Sequence, residues 1–134
     1  MRCGSRILTI TALCLAAAGC VPIRTESADG EVRYLSRDAF RDHAVSVFRL
    51  QNQLSGQVIE SVEDQSLEAG VLQSLEDAER EMMLACRALN AGAAKRAAQQ
   101  AYSLRERRAI VRAMPACEAA TLRLQAALTK ALSL

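Results

Sequence analysis

Apolar side chains recur every three or four residues over much of the chain, which is the period of an amphipathic α-helix. One such stripe runs from Phe40 to Val58, within a predicted helix over residues 36–64, and a second runs from Leu67 to Leu89. Ser36 precedes the first stripe and Ser66 the second, as expected of N-cap residues. The sequence therefore predicts two helices, with the second ending at Asn90–Gly92. The residues that mark the stripes are Phe40, Ala44, Val47, Leu54, Val58, Leu67, Val71, Leu75, Met82 and Leu89.

The connection between these helices, around Asp64 and Gln65, is very short. Two helices joined by so few residues either fold back as a hairpin or continue as one long rod. We favour the hairpin and keep the rod as the alternative.

The remaining segments differ from these stripes. From Ala93 the chain is rich in Ala and Arg, Ser103 and Glu106 have the spacing of a capping box, and Pro115 indicates the start of a last helix over residues 115–132. Residues 21–33 are mostly polar and have no helical stripe, which is typical of a flexible tether. We therefore expect an all-α fold, a small helical hairpin or bundle of three to five helices, preceded by a flexible N-terminal tether.

The leading segment has the pattern of an export signal. Arg2 and Arg6 are followed by an uncharged stretch over residues 7–18 and then by small residues before Cys20. Twelve helical residues reach only ~18 Å, which is short of the ~30 Å hydrocarbon core of a bilayer. We expect residues 1–19 to be removed, leaving a tether over residues 20–35 and a helical domain over residues 36–134.

The sequence Leu-Ala-Ala-Ala-Gly-Cys over residues 15–20 resembles the lipobox of bacterial lipoproteins, with Ala17 where such families usually carry Leu. The resemblance implies that Cys20 becomes the mature N-terminus and carries acyl chains such as palmitate. More than one chain gives stable membrane anchoring. Similar lipoproteins of Gram-negative bacteria stay in the inner membrane when Asp follows the cysteine, so Val21 implies the periplasmic face of the outer membrane. The alternatives are ordinary secretion, with cleavage after Ala18 or Gly19, and a cytoplasmic N-terminal helix.

Length and charge narrow the function classes. The chain has 134 residues, enough for one domain, and only 3% aromatic residues. Its formal charge of +2 includes Arg2 and Arg6, so the processed chain carries equal numbers of basic and acidic side chains. Nucleic-acid-binding domains usually carry a basic excess, and this balance argues against such a partner.

The charges are unevenly distributed, because residues 60–81 are mainly acidic and residues 87–130 mainly basic. Exposed pairs between the two regions are expected to be weak. Arg105, Arg108 and Arg112 share one helical face, and guanidinium groups pair well with phosphate and carboxylate. These three arginines are candidates for binding an anionic ligand, and the alternative is a solvated face or one paired with the acidic helix.

Cys86 and Cys117 would be the remaining cysteines in an oxidising compartment, where a disulfide is the expected state. A single straight helix over residues 93–113 would hold Cys117 ~30 Å from Gly92, whereas a disulfide needs Cα atoms within ~7 Å. The disulfide therefore requires a bend, which the capping box at Ser103 provides. Free buried thiols and an intermolecular link are the alternatives.

Motifs of catalysis are absent from the sequence. His43 is the sole histidine and has no second ligand at helical spacing, so we expect a solvated helix residue and neither a metal site nor a cofactor. There is no nucleophile elbow, phosphate-binding glycine loop or CxxC motif. We expect a non-catalytic envelope interaction or accessory protein that docks a partner protein or self-associates through surplus apolar surface. The alternative is a binding or inhibitor module that presents a basic helix face to an anionic envelope ligand.

Overall fold

The computed structural model describes residues 21–64 and 67–133. The signal segment, Cys20 and Ser66 lie outside these residues, so export, lipid attachment and the second N-cap stay predictions. The elements in chain order are β1 (Ile23–Glu26), β2 (Val32–Leu35), α1 (Arg37–Asp64), α2 (Ala69–Ala85), α3 (Arg87–Ala97) and α4 (Leu104–Ala131).

Helix α1 begins where its sequence indicates. The Ser36 hydroxyl accepts a hydrogen bond from the Ala39 amide at 3.1 Å, which confirms Ser36 as the N-cap. The apolar stripe from Phe40 to Val58 is buried, so α1 uses the predicted face for the core.

The second predicted helix is divided at Cys86, and α3 continues past the expected stop at Asn90–Gly92. Gly92 does not cap a helix. It is buried where α3 approaches α4, and a Cβ there would lie 2.7 Å from Ile110 Cδ1. Helix α3 ends instead just before Gln99, which lies in the left-handed region (φ 55°). The Gln100 amide donates a hydrogen bond to the Lys95 carbonyl at 2.9 Å, as in a helix C-cap.

Helix α4 begins with the predicted capping box. The Ser103 amide donates to Glu106 Oε2 at 2.8 Å, and the Glu106 amide donates to Ser103 Oγ at 3.2 Å. The helix then runs through Pro115, so the predicted start at Pro115 is wrong. Proline removes one backbone donor, but the buried residues Met114 and Cys117 on either side fix the helix by packing.

A two-stranded antiparallel sheet replaces most of the expected tether. Ile23 pairs with Leu35 and Glu26 with Val32, and Gly30 in the connecting turn has a φ of +84°. Strand β1 packs on α4 and β2 contacts α1. The prediction of a wholly helical chain with a flexible segment is therefore wrong over residues 23–35, although the described fold is mainly helical.

Helix α4 is the central element, since it contacts each of the other helices and β1. The pairs Glu81–Arg123, Cys86–Cys117 and Lys95–Glu106 place α2 and α3 antiparallel to it. A hydrogen bond from Gln51 to Asn90 joins α1 to α3, whereas a continuous rod would hold these residues ~58 Å apart. The predicted helical hairpin is thus confirmed. The bundle core includes Val58, Leu75, Met82, Met114, Leu124 and Leu128.

Candidate functional site

The three candidate arginines of α4 lie on its solvent side. Arg105, Arg108 and Arg112 are all exposed, and helical geometry places them within an arc of about 60°. Within residues 21–64 and 67–133, none of the three takes part in an ion pair. The structure therefore brings the three predicted residues together on one accessible face.

This face extends further along α4 than the sequence prediction proposed. Arg123 follows Arg105 by about five helical turns, and Lys130 follows Arg112 by the same interval. Because whole turns separate them, Arg123 points in the same direction from the helix axis as Arg105, and Lys130 in the same direction as Arg112. Both are exposed. The five residues form a row ~37 Å long, which we call the basic strip: Arg105, Arg108, Arg112, Arg123 and Lys130.

Both carboxylates of α4 turn away from this strip toward neighbouring helices. Glu106 accepts hydrogen bonds from the Lys95 ammonium of α3 and from the Ser103 amide. The Lys95 ammonium, assisted by Ser103, lowers the pKa of Glu106 to about 2. Glu118 instead faces His43 of α1. The outer face of α4 is consequently free of carboxylates from its own helix.

The acidic helix α2 neutralises little of the basic strip. Arg123 donates to Glu81 at 2.6 Å, and this is the one ion pair between α2 and α4 within the described residues. Asp77 pairs with Arg80 in its own helix. Helix α2 lies beside the second half of α4, so its carboxylates are far from Arg105. The half of α4 that carries Arg105 lies beside α3, which contains no acidic residue.

The structure contains the predicted disulfide between Cys86 and Cys117. The Cα atoms are 4.5 Å apart, and both side chains are fully buried. The required bend is formed by the turn between α3 and α4. The bond fixes the junction of α2 and α3 against the middle of α4, and thereby fixes the position of the helix that binds Glu106.

His43 is not the solvated residue that the sequence suggested. Its side chain is 25% exposed, and Nε2 lies 3.6 Å from Glu118 Oε2, an oxygen that has no hydrogen-bond partner. The pair borders a cavity of about 130 Å³ between α1 and α4. A wider depression of about 450 Å³ follows the outer side of α1 and is lined by α1 residues alone. Neither hollow is lined by a residue of the basic strip.

Metal binding and membrane spanning have no structural basis in the part of the chain that the structure describes. No three His, Cys, Asp or Glu side chains there lie close enough to hold a metal ion. No helix in the same ranges combines the length and apolarity needed to cross a bilayer. The basic strip can supply several guanidinium donors to an anion, which is a binding chemistry.

The sequence prediction includes three members of the strip but not Arg123 or Lys130. The interval between Arg105 and Arg123, which is five turns, was available in the sequence as a signal. Helical geometry also places Glu106 about 100° from Arg105, off this face, whereas its pairing with Lys95 depends on the approach of α3. The chain matches no protein-family model, no curated protein and no solved structure.

Proposed function

We propose that this protein is a lipid-anchored bacterial envelope protein that acts by binding rather than catalysis, and that its basic strip binds an anionic envelope component. The lipobox resemblance at Cys20 supports membrane anchoring at the periplasmic face of the outer membrane. The single observation that carries the binding proposal is the cluster of three exposed arginines on α4, which form no ion pair with the residues that the structure describes.

The arrangement of these arginines has a cost in the free protein. Like charges three or four residues apart destabilise a helix by about 0.2–0.5 kcal/mol per pair. Arg105, Arg108 and Arg112 are so spaced, and no acidic side chain of α3 compensates them. An anionic partner would relieve this repulsion and form charge-assisted hydrogen bonds.

The alternative of a partner bound through surplus apolar surface has less support. The apolar stripes of α1, α2 and α4 are largely used in the bundle core. The exposed large apolar side chains are distributed over several elements, for example Tyr34 on β2, Ile59 on α1 and Leu84 on α2. An acidic protein partner remains compatible with the basic strip.

Anchoring is tested by the intact mass of the protein extracted from its native membrane. We expect a mass of residues 20–134 plus acyl chains, with Cys86 and Cys117 alkylated only after reduction. A soluble, unlipidated species would contradict the anchoring.

Binding is tested with inorganic polyphosphate as a soluble polyanion. We expect salt-dependent binding that the variant R105Q/R108Q/R112Q loses, because counterions are released when cations meet a polyanion. The matched control is R37Q/R41Q/R49Q, which removes three exposed charges from α1. Equal loss in both variants would show that only overall charge matters.

A further inference from the structure

The basic strip is convex. The hollow on α1 and the hollow between α1 and α4 are lined by other residues, so neither collects the guanidinium groups of Arg105, Arg108 and Arg112. Small-ligand sites are concave and enclose most of the ligand. The shape of the strip therefore fits an extended anionic surface better than a small anion.

The residues between the charged groups of the strip have small side chains. Ala116, Ala119 and Ala126 point in the same general direction as the arginines and lysine, by helical geometry. Their short side chains do not project past the cations. On α4 itself, the cations therefore project furthest along this face, although Arg123 also contacts Glu81 of α2.

Two exposed leucines border the strip. Leu104 is 71% exposed and Leu122 is 44% exposed. Leu122 follows Leu104 by about five turns, so both point in one direction, about 40° from that of Arg108. Helices that lie at a membrane interface carry basic residues on a polar face that borders an apolar face with residues such as leucine, and Leu104 and Leu122 lie at such a border of the basic strip.

We infer that the basic strip lies against the phosphate headgroups of an anionic phospholipid bilayer, with Leu104 and Leu122 entering the acyl boundary. The inference rests on the proposed function and names its anionic component. The apolar residues favour a bilayer over a soluble polyanion, which offers phosphate or carboxylate but no apolar layer. Anchoring through Cys20 would hold the strip near such a surface at high effective concentration.

The expected strength of membrane binding follows from the number of arginines. One basic residue beside an anionic membrane strengthens binding to it by about fivefold, so Arg105, Arg108 and Arg112 together strengthen binding by about 100-fold. Reagents that modify arginine should then react with these side chains up to about 100-fold more slowly when the bilayer is anionic.

The experiment uses the full chain, purified in detergent and reconstituted into vesicles. Vesicles of phosphatidylcholine are compared with vesicles that also contain phosphatidylglycerol. Phenylglyoxal modification of each arginine is followed by mass spectrometry. We expect protection of Arg105, Arg108 and Arg112 on the anionic vesicles and its loss at about 0.5 M salt. Arg37 and Arg49 on α1 serve as internal controls and should react equally on both vesicles.

A second comparison tests the leucines. The variant L104S/L122S should show weaker protection on the anionic vesicles, whereas M83S/L84S, which alters exposed apolar residues of α2, should not. Equal protection in these two variants would overturn the part assigned to Leu104 and Leu122.

The outcomes separate this inference from the proposed function. If polyphosphate protects the arginines and anionic vesicles do not, the bilayer is overturned and the binding function stands. If neither protects them, both are overturned. Equal protection on neutral and anionic vesicles would contradict recognition of anionic headgroups.

Discussion

The Cys86–Cys117 disulfide is expected to supply much of the stability of the bundle. The perturbation is the double variant Cys86→Ala/Cys117→Ala. The two cysteines are 31 residues apart, and closing a loop of that size removes about 12 cal/mol/K of entropy from the unfolded chain. At 25 °C this corresponds to about 3.7 kcal/mol. Small domains have about 5–15 kcal/mol of total stability, so the expected decrease is a large fraction.

Urea unfolding followed by circular dichroism measures this difference. The free energy of unfolding should fall by about 3–4 kcal/mol. The dependence on urea should steepen, because the unfolded chain exposes more surface without the cross-link. The wild-type protein unfolded under reducing conditions is the control, since it loses the same constraint and keeps both sulfur atoms.

A decrease below about 1 kcal/mol, with the same dependence on urea, would refute the loop-entropy reasoning. A similar decrease in the variant and a much smaller one in the reduced wild type would instead assign the effect to packing of the buried sulfur atoms. If the double variant does not fold at 25 °C, the reduced wild-type protein at lower temperature provides the measurement.

Three further predictions concern the helix termini and the contact between α3 and α4. Gly92→Ala should reduce the free energy of unfolding by about 1 kcal/mol, since an added Cβ would lie 2.7 Å from Ile110 Cδ1. In an Ile110→Val background, which lacks that atom, the same substitution should cost less, and an equal cost in a double-mutant cycle would contradict the proposed clash. Gln99→Gly should raise the melting temperature, by a gain of up to about 1 kcal/mol, because Gln99 has a φ of 55° and glycine adopts this conformation freely; a lower melting temperature would argue against backbone strain at this position. The pKa of Glu106, at about 2, is below its usual value of 4.5, so the stability that its ionised form contributes is complete above 4.5 and is lost as the pH falls toward 2. Melting temperatures at about pH 5 and pH 2.5 should therefore differ less in Glu106→Gln than in the wild type, and an equal difference would contradict this linkage.

The disulfide and the basic strip are connected through α3. Because the disulfide fixes the junction of α2 and α3, α3 approaches α4 closely enough for Lys95 to bind Glu106. That pairing engages the carboxylate on a side of α4 other than the one that carries Arg105 and Arg108. Loss of the disulfide should therefore weaken the pairing of Lys95 with Glu106 as well as lower the stability of the fold.

Local sequence determined the parts of the structure that depend on local interactions. The period of apolar residues specified the buried face of α1, and the hydroxyl of Ser36 specified its start. The capping box at Ser103 likewise specified the start of α4. A disulfide between Cys86 and Cys117 also required a bend in the chain, because a straight helix would hold their Cα atoms too far apart.

Tertiary structure decided where local signals conflicted or were weak. Asp29-Gly30 is a hairpin-turn signal, and Ile23, Thr25 and Val32 beside it are β-branched. Two short strands are marginal in water, however, and here β1 is stabilised by packing on α4. Packing also keeps α4 continuous at Pro115 and buries Gly92 inside α3, although proline and glycine both disfavour a helix interior. The unpaired state of the arginines depends on which helix lies beside them, and that is fixed only when α3, which has no acidic residue, packs against this half of α4.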